Sequence, residues 1–165
     1  MNRQMMTKDT HSALQILVGA RDLYERFPHM GDLIHELDGQ NSYCALGALA
    51  KAGGQSDDDL ETFNNVENGE NRYDGVLLDG NGIEVATWIL AKAIIDLNPN
   101  YEAASRVADK DNLSIEDAWE IIYSHNDNNS KNPKTFVDGK YVFAKIPPSP
   151  EILKSFDLAI KVASA

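Results

Sequence analysis

The sequence predicts a mainly α, single-domain orthogonal helical bundle with one small β-hairpin excursion at about residues 134–144. Three observations predict it. Apolar residues recur three and four apart through most of the chain, the period of a helix buried on one side. Only around Asp138-Gly139 do apolar residues flank a pair that favours a tight two-residue turn. No Pro- or Gly-rich linker divides the 165 residues, a length at which one domain buries a core without cross-links.

Thr10 or Ser12 is expected to cap the first helix, with residues 1–9 flexible ahead of it. Leu14, Leu17, Val18, Arg21 and Tyr24 form one stripe, and Ile16, Ala20, Leu23 and Phe27 form a second. Two stripes imply a wide buried face. Pro28 stops the helix near Phe27. A short amphipathic piece from Asp32 to Leu37 and a turn at 38–42 follow.

The next helix, Tyr43 to Ala52, is the most tightly patterned apolar run, and Ser42 is its expected cap. Cys44, Gly47, Ala48 and Ala52 share a face on which small side chains let another backbone come close. A glycine inside a helix costs roughly 0.5–1 kcal/mol relative to alanine. Gly47 therefore implies a packing reason for its missing side chain. Residues 55–82 read as an acidic loop, with a helical turn available at Asp58 to Phe63.

Ile83 to Leu97 is the strongest helix, stopped by Asn98-Pro99, and Tyr101 to Ala108 makes another. Ser114 with Asp117 starts a capping-box pattern leading to a helix that ends at His125-Asn126-Asp127. Residues 128–148 hold a polar loop and the hairpin. Ser149 and Pro150 then open the last helix, with Ile152, Leu153, Phe156, Ala159, Ile160 and Ala163 inward.

Charge and composition narrow the functional classes. A net charge of −11, with 15 basic residues among 26 acidic ones, gives no obvious basic face for phosphate neutralisation, so nucleic acid is not an expected partner by that route. The one cysteine excludes an internal disulfide, and no apolar run approaches the ~20 residues that span a bilayer. With no apolar leader after Met1, the expected setting is cytoplasmic and membrane-free. Nucleotide-binding glycine motifs are absent and no cofactor is expected.

The chemistry-bearing candidates centre on Cys44. A thiol at a helix N-terminus feels unpaired amide donors that lower its pKa, so Cys44 is a possible nucleophile, with His125 as base and Asp127 as orienter. A buried, inert cysteine in a helix contact is the competing reading. Asp109, Asp111, Asp117 and Glu120 match four positions of a calcium loop, but Leu113 and Ser114 break the pattern, and no metal site is expected. His11, His29, His35 and His125 show no metal-binding spacing.

Tyr43-Cys44-Ala45-Leu46-Gly47-Ala48-Leu49, the later Asn126-Asp127 pair and the last helix resemble a family of short, uncharacterised bacteriophage and actinobacterial proteins. These share a Cys-x-x-Gly-Ala helix and an Asn-Asp pair. This chain departs from the family pattern by inserting residues 128–148 before its last helix. The resemblance makes Tyr43, Gly47, Ala48 and Asn126 structural motif residues, and implies a phage origin and a mostly helical fold.

The functional expectation is a non-enzymatic binding or inhibitor protein acting on a host (defence) protein or a small signalling molecule, through the 55–82 loop or the 128–148 excursion. A cysteine-dependent hydrolase or transferase is the alternative, and DNA mimicry by the acidic loop is a third. The small-residue face at Gly47 could also pack across a homo-oligomer.

Overall fold

A computed structural model describes residues 3–64, 82–100 and 109–165, with side chains from Ser12 onward. The chain is mainly α with two small antiparallel hairpins. Among the described residues the order is α1 (Arg3–Arg26), β1 (Ile34–Leu37), β2 (Gln40–Tyr43), α2 (Ala45–Ala52) and α3 (Asp57–Asn64), then α4 (Ile83–Leu97), α5 (Ile115–Asn129), β3 (Lys134–Val137), β4 (Lys140–Phe143) and α6 (Pro150–Ala163). The helix expected at Tyr101 to Ala108 and most of the acidic loop lie outside the described residues.

Helix α1 starts before Thr10, so neither Thr10 nor Ser12 is its cap. Ala13, Ile16, Leu17, Ala20 and Tyr24 are its buried side, whereas Val18 faces solvent. The inward face packs on α2, α4 and α6. Tyr24 stacks obliquely on Phe156 of α6 at 6.3 Å and accepts a hydrogen bond from the Ser149 amide at 3.0 Å. On the outside, Arg21 joins α1 to Asp157 of α6 through a 2.6 Å contact.

Helix α2 is buried from Ala45 through Ala50, with α1, α4 and α5 around it. Its cap is Cys44, because Ser42 lies within β2. The reason for Gly47 is the Leu33 carbonyl: a Cβ at Gly47 would lie 1.9 Å from that oxygen. Any side chain there would push the preceding segment off the helix.

Both hairpins turn on an Asp-Gly pair with positive φ at both residues: 52° and 80° at Asp38-Gly39, and 51° and 77° at Asp138-Gly139. That geometry matches strand twist in a two-residue turn. The second hairpin is the expected one, in register Lys134↔Phe143 through Val137↔Lys140. The first corrects the sequence reading, which had an amphipathic piece and a turn there. Its strand β2 is polar until Tyr43, which is fixed from outside: its amide donates to the Phe27 carbonyl, and its own carbonyl accepts from the His29 amide.

Further on, α3 realises and lengthens the helical turn expected in the acidic stretch, and Leu60 is buried beneath it. Helix α4 has the bounds expected of it. Ser114 caps α5 by accepting from the Asp117 amide at 3.1 Å. The helix runs through Asn129 rather than stopping at 125–127, which puts His125 and Asn126 inside it.

Candidate functional site

The structure places Cys44, Asn126, His125 and Asp127 around the buried junction of α2 and α5, each with its own partner. Cys44 is fully buried, and its Sγ accepts from the Gly47 amide at 3.4 Å. The helix N-terminus does act on the sulfur, but burial outweighs it and pushes the thiol up to about 12. The nearby Asp127 charge adds to the rise. A thiolate is therefore scarce at neutral pH, the reverse of what a nucleophile needs.

His125 faces a different neighbour. Its Nε2 lies 3.2 Å from Ser155 Oγ on α6, and its Nδ1 lies 3.1 Å from Asn129 Nδ2. Ser155 gives its own hydrogen to the Glu151 carbonyl, so it accepts from Nε2–H, and Nδ1 accepts from Asn129. That tautomer is neutral, and burial lowers the His125 pKa to keep it so. Both ring nitrogens are committed, and neither bond runs to the thiol. Asp127 accepts from the Gly31 amide at 3.1 Å. Its carboxyl is raised by burial, with the Gly31 and Tyr123 contacts opposing the shift. Base and orienter are thus turned to other tasks.

Asn126 ties the junction together. Its Oδ1 accepts from the Ala45 amide at 2.8 Å, satisfying a first-turn donor of α2, and its Nδ2 donates to the His29 carbonyl at 3.1 Å. A helix start buried in the core needs such a partner. Close by, Tyr43 donates to Asp57 at 2.7 Å, beside Lys51 and Asn41. Burial pushes the Asp57 carboxyl up, but these three partners outweigh it and hold it below its ordinary range.

Sequence spacing did not reveal the chemically richest cluster. His29, Asp32 and His35 bring one possible ligand atom each to within 4.8 Å of one another. His29 follows α1, Gly31 turns the chain with φ 89°, and His35 sits on β1. The two imidazoles stack at 5.0 Å and 9°, and the outer face of His35 meets Phe143 of β4 at 4.2 Å. His29 is fully buried, yet neither ring nitrogen has a hydrogen-bond partner, and Asp32 is 3.9 Å from its Nε2. A buried polar atom left this way costs about 1–3 kcal/mol. The His29 imidazole holds the Asp32 carboxyl below its usual value, and burial lowers the His35 pKa. The residues that could signal this cluster are His29-x-x-Asp32-x-x-His35, two successive i, i+3 steps that lie in no helix here, so that the turn at Gly31 brings them together instead.

The acidic residues that mimic a calcium loop have local roles. Asp109 accepts from the Asp111 amide in a turn, Asp111 pairs with Lys92, and Asp117 belongs to the α5 cap. No described helix is long and apolar enough to cross a membrane. Compared with known proteins, the chain matches no family model, no curated protein and no solved structure.

Proposed function

We propose that this chain is a non-enzymatic binding protein that docks through the β3–β4 hairpin on an acidic-rimmed apolar groove of another protein. Following the resemblance to phage proteins, the target is a host protein. One observation carries the reading: the hairpin stands in solvent with Phe136 67% and Tyr141 68% exposed. Val137 and Val142 are about half exposed beside them. Aromatic pairs left in water are typical of contact surfaces, where they supply large area at small entropic cost.

The hairpin is also basic in an acidic chain. Lys131, Lys134, Lys140 and Lys145 accompany it against Asp138 alone, all of them exposed. Phe136 and Tyr141 are cross-strand partners in edge contact at 5.4 Å, with the Lys134 ammonium 5.9 Å from the Tyr141 ring. An aromatic pair with Lys134 beside it, on a hairpin segment carrying three further lysines, is complementary to an apolar pocket rimmed by carboxylates. Both strands keep an unpaired edge for added backbone bonds.

The test is affinity capture from a bacterial lysate with the full chain, beside a Phe136→Ser/Tyr141→Ser variant of unchanged circular dichroism. A protein retained by the first and lost by the second, with retention weakening as salt rises, supports the reading. Equal capture by both chains, or capture abolished by nuclease, overturns it.

A further inference from the structure

We propose that His29, Asp32 and His35 form a site for a divalent transition-metal ion of the zinc class, with two imidazole nitrogens and one carboxylate oxygen as protein ligands. The site does not depend on the docking role of the hairpin. It rests on His29, a wholly buried imidazole whose two ring nitrogens have no hydrogen-bond partner. Its main chain is held at both ends, the amide on the Tyr43 carbonyl at 2.9 Å and the carbonyl on Asn126 at 3.1 Å. The main chain of the residue is thus anchored, its ring is placed by burial and by the stack on His35, and an ion would satisfy one of its two ring nitrogens.

The other two ligands are half-exposed and can adjust. Donors to one tetrahedral zinc at ~2.0–2.1 Å lie about 3.3 Å apart, so the 4.8 Å spread must shorten, and because the lone pairs of two parallel imidazoles do not converge, the half-exposed His35 ring must also turn out of its stack on His29. Asp32 and His35 also line a cavity of about 390 Å³ with Glu36 and Glu61 at its wall. The cavity brings solvent to Asp32 and His35 but not to the buried His29, and its carboxylates draw cations toward it.

The donor set selects the class of ion. Two nitrogens and one carboxylate suit zinc and its first-row neighbours, whereas calcium and magnesium take oxygen cages. Lys134 lies close enough to act electrostatically on both Asp32 and His35, which opposes an ion held by charge alone. Imidazole coordination is what remains to hold one. Three protein ligands leave a coordination position for water, as in open rather than closed zinc sites.

The experiment uses the full chain stripped with chelator, then titrated with Zn2+ while metal per chain is measured, with Co2+ as a spectroscopic probe. The expected result is one ion per chain and a visible Co2+ absorption. Affinity should fall about tenfold or more in both His35→Ala and Asp32→Asn, whose side chains lie outside the core. Circular dichroism confirms that each variant is folded, and either one alone suffices if the other is not. No binding by the unaltered chain, or affinity in a folded variant reduced by less than about tenfold, overturns the proposal.

Discussion

At Cys44 two opposing effects meet, and their sizes decide the outcome. Helix-end amides favour a thiolate, whereas complete burial favours the thiol and prevails, at about 12. Native protein at pH 7.5 should therefore react with iodoacetamide on the order of a thousandfold more slowly than the urea-unfolded chain. Mass spectrometry of the Cys44 peptide over time measures this, and equal rates would contradict the burial argument. The sequence placed Cys44 at a helix start but could not show which effect wins, because burial comes from α1, α4 and α5 closing over it. Gly47 was more legible, since a glycine inside an apolar helix already implies a close approach. Gly47→Ala should lower stability by about 2 kcal/mol or more, its Cβ meeting a backbone oxygen that has nowhere to go. Gly19→Ala in α1 meets only Ala52 Cβ at 3.4 Å and should stabilise by about 0.5–1 kcal/mol. Urea unfolding midpoints of the two variants should move in opposite directions.

Among the elements, the most instructive pair is the two Asp-Gly turns. They have the same backbone, but only the second is flanked by strands rich in apolar and β-branched residues. Gln40-Asn41-Ser42 has no strand propensity of its own and pairs because Tyr43 is held by the segment after α1. A contact between distant residues thus overrides local preference. The His29, Asp32 and His35 cluster was hidden for another reason: its residues are close in sequence but converge only once Gly31 has turned the chain and β1 has paired. Asn126 is the element-scale linchpin, joining α5 to the start of α2 and to His29. Asn126→Ala should leave the Ala45 amide and the His29 carbonyl buried and unpaired, costing about 2–4 kcal/mol. Asn126→Asp should also destabilise, because it keeps the acceptor for Ala45 but turns a carboxylate oxygen toward a carbonyl. Thermal unfolding of both variants checks the assignment, and a near-neutral Asn126→Ala would remove the junction from the account.

For the whole molecule, the joint between α5 and α6 gives the fold a dependence on pH. His125 lies between these helices in a neutral form, its Nε2–H on Ser155, and burial lowers its pKa below the unfolded value near 6.5. Above that unfolded value both states are neutral, and the interaction contributes in full. As pH falls below it, the unfolded chain takes up a proton that the folded chain refuses until its lower pKa is reached. Stability is therefore lost on acidification across that window, by at most about 1.4 kcal/mol per pH unit for one proton. His35, also lowered, acts in the same sense, while Asp127, raised by burial, acts oppositely as pH falls through its raised value. A net charge of −11 adds a background in which acid relieves repulsion. Only a difference between two proteins isolates the His125 contribution. His125→Gln should be less stable at pH 8, where it loses the ring and its packing, but its urea midpoint should fall less steeply between pH 7 and pH 5. The two curves should converge on acidification. Parallel curves would mean that His125 keeps its ordinary pKa and that the buried neutral tautomer is not what joins α5 to α6.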